Sequence, residues 1–264
     1  MTSAQLISWV VSAITFGTVI MFGCIGETIN QKAGNLNLGV PGIMQLGGIG
    51  ALTGAFIYES STATPNGTIG MICALLCAIL ASALGSLIYS FLTVTLKANQ
   101  NVTGLTLTIF GTGIANFFGG SLMKLSGGVG SISVATTANV FKLRLPFISG
   151  KLGLFGSLFL NYGWMAYFCL VLAFVANYFL TKTRTGLNLR AVGENPATAD
   201  AAGINVTKYK YLASIIGGAI CGLGGLFYVM DYIQGTWAND NTIEALGWLA
   251  VALVIFTSWK PKNA

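Results

Sequence analysis

The chain has 264 residues, 54% of them hydrophobic and only 8% charged, and its mean hydropathy is +0.76. Soluble domains carry about 25% charged residues, so a soluble fold is excluded. The net charge of +6 comes from bases at the ends of apolar segments, where they set orientation and meet anionic lipid. No basic run with interleaved aromatics marks a nucleic-acid surface.

Seven apolar stretches of bilayer-spanning length follow one another: 4–26, 36–58, 69–96, 102–123, 162–180, 211–231 and 243–259. They are continuous rather than alternating, which predicts helices and not a barrel. The expected fold is an all-α polytopic membrane bundle of about seven spans, a single domain over residues 1–264. The first stretch has no Lys or Arg before it and is too long for a signal core, so it reads as an uncleaved span. The second opens with Asn35, Asn37, Gly39, Pro41 and Gly42, which predicts a broken helix. At membrane depth such a break is tolerated only beside a cavity or inside protein. Gly50-x-x-x-Gly54 and Gly218-x-x-x-Gly222 predict close helix contacts. Residues 124–161 carry four bases and no acid, with an apolar, Gly-rich stretch from Phe147 to Phe159 expected to be strand-like or re-entrant.

Orientation follows the bases. Lys32, Lys97, the polar stretch 182–210 and the tail lysines mark the cytoplasmic side, while loops 59–68 and 232–242 hold acids and no base. Counting crossings then places the N-terminus and residues 124–161 outside. Cys24, Cys73, Cys77, Cys169 and Cys221 all fall in spans and read as small buried hydrophobes. The chain has no His, which removes a Ser–His hydrolase and the usual metal-ligand sets.

The polar stretch 182–210 holds five of the thirteen Lys/Arg and two of the seven Asp/Glu. Asn195-Pro196 reads as a helix start, because Asn caps orphan N–H groups and Pro is preset for the first turn. Ala-rich residues follow, with Asp200 exposed and Gly203 able to end the helix in the left-handed conformation. About two turns cannot stand alone, so the element must pack on something. Arg190 and Glu194 flank it, and Gly186 and Gly193 read as joints.

The run G-L-N-L-R-A-V-G-E-N-P-A-T-A-D-A-A-G-I-N-V, Gly186 to Val206, resembles the coupling loop of permease subunits of ABC importers, in the branched-chain amino acid, ribose and nucleoside group. The run G-E-T-I-N-Q-K-A-G-N-L-N-L-G-V-P-G-I-M, Gly26 to Met44, is similar to the start of the second core helix in the simple-sugar/nucleoside subgroup. The likeness continues through Asn101-Val-Thr-Gly and residues 143–157. Pro41 stands where that subgroup has Glu. The chain stops at Trp259-Lys-Pro-Lys-Asn-Ala264, where the family pattern continues into a further span, so a C-terminal truncation is expected.

The resemblance implies a non-catalytic subunit of a binding-protein-dependent importer in a bacterial cell membrane, for nucleosides or simple sugars. It implies an ATP-binding partner subunit that carries the ATP and Mg, a second related permease subunit, and an external substrate-binding lipoprotein. No cofactor is implied in this chain. The expected ATPase-coupling residues are Gly186, Arg190, Gly193, Glu194, Asn195, Pro196, Asp200 and Gly203. Glu27 and Asn37, at the second helix, and Asn116, a lone amide in the fourth span, are candidates for the translocation pathway. A helix–helix hydrogen bond accounts for Asn116 equally well. The alternative is an ion-coupled secondary transporter of a small polar solute. Such carriers place titratable groups at mid-membrane, whereas Glu27, Glu59 and Asp231 fall near span ends.

Overall fold

A computed structural model describes residues 3–125, 132–142, 161–237 and 241–256. The helices in chain order are α1 (Ser3–Lys32), α2 (Val40–Ser61), α3 (Gly67–Ser90), α4 (Gln100–Leu125), α5 (Ala135–Phe141), α6 (Trp164–Lys182), α7 (Arg184–Glu194), α8 (Pro196–Ala201), α9 (Val206–Phe227) and α10 (Thr242–Phe256). Five-residue π-helical turns extend α3 through Thr95 and α9 through Tyr232. Six helices among the described residues are long and apolar enough to cross a membrane. The seventh expected span is α10, whose 15 described residues are shorter than a full crossing of about 20.

The centre of the bundle is α2, buried on all sides over most of its length. Helices α3, α4, α9 and α10 pack around it, and α1 packs along α9. Glycine explains why this helix is innermost. In hydrocarbon, apolar side chains gain nothing by leaving lipid, so association relies on close backbone packing. A Cβ on Gly47 would collide with the backbone of Gly222 on α9, and one on Gly42 with Leu107 and Thr108 on α4. Both expected small-residue faces make contacts of this kind. Gly50 and Gly54 lie against the carbonyls of Cys77 and Cys73, and Gly218 and Gly222 against Ser86 and Ser82, all on α3. Helices α3 and α6 instead turn Leu80, Leu84, Phe174 and similar side chains outward, as a lipid-facing wall does.

The break expected in the second span lies before the helix, not within it. Asn35 to Gly39 is not helical, and α2 then runs unbroken from Val40 with Pro41 in its first turn. There Pro costs nothing, because its missing N–H belongs to a group with no intrahelical partner. At the far end of α2, the Glu59 carboxylate accepts from the Thr137 amide at 2.7 Å and its hydroxyl at 2.6 Å. This ties α5 across the ends of α2 and α3. An isolated bridge pairs Ser133 with Thr236. The expected strand-like stretch from Phe147 to Phe159 lies outside the described residues.

Candidate functional site

Two polar assemblies stand out. The first holds the chain where it passes from α1 into α2. Glu27, 1% exposed on α1, accepts from the Gln31 side chain at 2.7 Å, the Asn37 backbone at 3.2 Å and the Asn30 side chain at 3.3 Å. Asn30 Oδ1 accepts from the Ser214 hydroxyl of α9 at 2.7 Å. The Asn35 side chain donates to Ser214 Oγ at 3.0 Å and to the Lys210 carbonyl at 3.2 Å. From the other side, the Tyr89 hydroxyl donates to the Leu36 carbonyl at 2.7 Å and Thr108 to the Leu38 carbonyl at 3.0 Å. The Asn37 side chain accepts from the Gly39 amide at 2.8 Å.

Non-helical backbone at membrane depth leaves amides and carbonyls with no water to bind. Side chains from α1, α3 and α4 supply the missing partners, and α9 holds the Asn35 side chain. The structure therefore brings Glu27 and Asn37 together, as two members of the clasp that sets where α2 begins. Asn30, Ser214 and Tyr89 share that task and escaped sequence reading: Ser214 and Tyr89 sit inside apolar runs, and Asn30 is one of several polar residues at the end of α1 with no local pattern to single it out.

The second assembly is the expected coupling element, and it is larger than expected. Asn195 caps α8 by accepting from the Thr198 amide at 3.1 Å, Pro196 opens the helix, and Gly203 leaves it with φ +80°. Along α8 only Ala199 is buried, so Asp200 and its neighbours face outward. Before it lies an unforeseen helix, α7. Its N-cap is Thr183, whose hydroxyl accepts from the Gly186 amide at 3.1 Å. Gly186, Leu189 and Val192 form its buried face. The signal for this helix was present in Thr183 and in the spacing of those three residues.

Gly186 and Gly193 are thus not joints between segments. They are the points where α7 touches the bundle. A Cβ on Gly186 would strike the Phe179 carbonyl in the last turn of α6, and one on Gly193 would strike the Lys32 carbonyl at the end of α1. The side chain of Asn188 donates to the Tyr209 hydroxyl of α9 at 3.1 Å. So α7 rests on three spanning helices at once and carries the exposed α8 at its tip. Arg190 is half-buried, with a buried Nε that has no hydrogen-bond partner. Glu194, Asn195 and Pro196 are exposed.

Asn116 is exposed on α4 and lies in neither assembly. One turn before it, the Thr112 hydroxyl donates to the Glu244 carboxylate of α10 at 3.3 Å. Thr112 is the thirteenth of the 26 residues of α4. A carboxylate that sequence places at a loop edge therefore sits level with the middle of a spanning helix. The described residues hold no group of three or more His, Cys, Asp or Glu able to bind a metal.

The family described as branched-chain amino acid transport system / permease component matches residues 9–262. A protein of Haloferax volcanii, provisionally named a glucose ABC transporter permease protein, is 34% identical over 96% of this chain and 71% of its own length. A nucleoside ABC transporter permease protein of Lactococcus lactis is 29% identical over 97% of this chain and 77% of its own. A guanosine ABC transporter permease protein of Bacillus subtilis is 28% identical over 100% and 80%. No solved structure matches the chain. With six apolar spans among the described residues and a match over nearly its whole length, the chain is a multi-pass membrane protein that belongs to the family of branched-chain amino acid transport system permease components.

Proposed function

We propose that this chain is the permease subunit of a binding-protein-dependent, ATP-driven importer of nucleosides or simple sugars. One observation carries the mechanism: α8 is a capped, exposed helix too short to stand alone, set on a helix that contacts α1, α6 and α9. Arg190, Glu194, Asn195, Pro196, Asp200 and Gly203 present that element to a cleft in an ATP-binding subunit. Gly186 and Gly193 transmit its displacement to the spans. ATP and Mg are held, and ATP is hydrolysed, on the partner subunit, and this chain carries no cofactor. A second related permease subunit completes the pathway, and an external lipoprotein delivers the solute. Glu27 and Asn37 act on that pathway by fixing where α2 starts, while Asn116 lines it.

The solute class rests on the relatives named for glucose, nucleoside and guanosine. These solutes share a sugar ring bearing several hydroxyls. A cysteine placed at exposed Asp200 tests the docking. It should cross-link to the co-purified ATPase subunit, and a cysteine at Thr62, at the opposite end of α2, should not. Equal cross-linking at both positions, or none at Asp200, overturns the assignment.

The mid-depth Glu244 favours a second reading, an ion-coupled carrier, because membrane carboxylates commonly relay protons. Energisation decides between the two. Uptake into proteoliposomes that requires internal ATP and survives a protonophore supports the importer, and uptake with the reverse dependence supports the carrier.

A further inference from the structure

Two glycine contacts place three helices at one level. Pro41 of α2 lies against Gly247 of α10, and Gly42 of α2 lies against Leu107, Thr108 and Gly111 of α4. One turn further along α2 is Gln45, three residues from Gly42 and four from Pro41. Helical spacing puts it between those two contact directions, facing the seam where α4 and α10 flank α2. One turn along α4 from Thr108 is Thr112, and one turn back along α10 from Gly247 is Glu244. Those two bridge the seam through their hydrogen bond of 3.3 Å. Gln45 is 1% exposed, and its Oε1 has no hydrogen-bond partner. Asn116 is exposed one turn further along α4. Beyond it, the Trp237 indole lies against Gly119.

The depth is what makes this cluster unusual. The 26 residues of α4 measure about 39 Å at 1.5 Å per residue, more than the ~30 Å of hydrocarbon. Thr112 lies at its midpoint, so the carboxylate of Glu244 and the amide of Gln45 sit near the bilayer centre. Charged and amide groups are costly there, and so is a buried amide oxygen without a partner. A carboxylate, an amide and a hydroxyl converging on one seam form a set rich in acceptors, with two donors beside it.

We propose that Gln45, Thr112, Asn116 and Glu244 form a solute-binding station at mid-membrane for neutral compounds bearing adjacent hydroxyls. The inference rests on the nucleoside/sugar reading above and names the residues that would recognise such a solute. A carboxyl group offers two oxygens to neighbouring solute hydroxyls, and the amides and hydroxyl beside it supply further donors and acceptors. None of the four residues is basic, so a solute carboxylate finds no cation to pair with, and the station selects against amino acids. Solute hydroxyls would take over the bond that Thr112 now makes with Glu244 and supply the partner that Gln45 Oε1 lacks.

The test uses the complete transporter in proteoliposomes with saturating, loaded binding protein and labelled guanosine or glucose as probe. Glu244→Gln, Thr112→Val and Gln45→Met each keep shape and remove a polar function. Each should lower solute flux about tenfold or more in transporter that still co-purifies with its ATPase subunit. Combining Thr112→Val with Glu244→Gln should add little to Glu244→Gln alone. A cysteine at exposed Asn116 should be alkylated by a charged thiol reagent more slowly when guanosine is present. Wild-type flux in all three variants, with Asn116→Cys labelling insensitive to guanosine, overturns the station and leaves the importer reading standing. Wild-type uptake of leucine in place of guanosine and glucose overturns the solute reading, and the station with it.

Discussion

Gly193→Ala is the most informative single change, because it adds one methyl group where α7 meets α1. The added Cβ would overlap the Lys32 carbonyl oxygen and lie 3.0 Å from both the Lys32 carbonyl carbon and the Gly34 amide nitrogen. All three are backbone atoms and cannot rotate away. Restoring ordinary contact requires the end of α7 to move by about 1 Å, an overpacking strain of about 1–3 kcal/mol. The residues at that end are Glu194 and Asn195, which lead into α8. If α7 transmits force, the strain appears as a coupling loss of about 5- to 150-fold in solute moved per ATP hydrolysed. The assay is guanosine uptake and phosphate release from the same proteoliposomes. Folding and assembly should survive, because the contact lies at one end of the bundle. Gly203→Ala separates clash from strain: nothing lies within 4 Å of its added Cβ, but φ is +80°, so it costs about 1 kcal/mol of helix-end strain alone. Unchanged stoichiometry in Gly193→Ala would refute the idea that α7 drives the spans through α1.

Three further changes probe the other contacts. Asn195→Ala removes the 3.1 Å cap on α8 and about 1 kcal/mol of helix stability; uptake should fall with assembly intact, and normal uptake argues against a working role for α8. Glu27→Ala leaves the amide of Asn37 and the side chains of Asn30 and Gln31 without their acceptor, at about 1–3 kcal/mol for each donor left buried. Its melting temperature in detergent should drop well below that of Glu27→Gln, which keeps an acceptor oxygen; equal melting temperatures contradict the clasp. Gly47→Val should prevent stable folding, since even a Cβ there collides with the Gly222 backbone, and a well-expressed, active Gly47→Val transporter would show that α2 and α9 do not meet as described.

Much of this architecture is legible in the residues, for reasons that differ from place to place. Long apolar runs announce spans because each helix must satisfy its own backbone in lipid. The start of α8 is readable because Asn, Pro and Gly act locally, through capping, a fixed φ and a left-handed stop. Pro41 shows the limit of that reasoning: the same residue breaks a helix or opens one, and only the preceding Asn35–Gly39 segment, held by Tyr89 and Thr108 from distant parts of the chain and by Glu27 of the helix before it, decides which. Gly186 and Gly193 suggest flexibility in sequence. In the fold they are sites of close approach, which depend on partners about 7 and 160 residues away. Glu244 was hidden for a related reason. Its position in the chain is beside a loop, and its depth follows from packing α10 on Pro41 of α2, which sets it level with Thr112 of α4.

The central claim is that ATP hydrolysed on a partner subunit drives a hydroxylated solute through this chain. Uptake of labelled guanosine into proteoliposomes holding the permease, its ATPase subunit and the external binding protein tests it most directly, with glucose and leucine measured in parallel. Guanosine or glucose should accumulate only with hydrolysable ATP on the α8 side, and accumulation should fail when the docking end of α7 is disturbed by Gly193→Ala. Accumulation of either solute without ATP, or ATP-driven accumulation of leucine alone, would contradict the account.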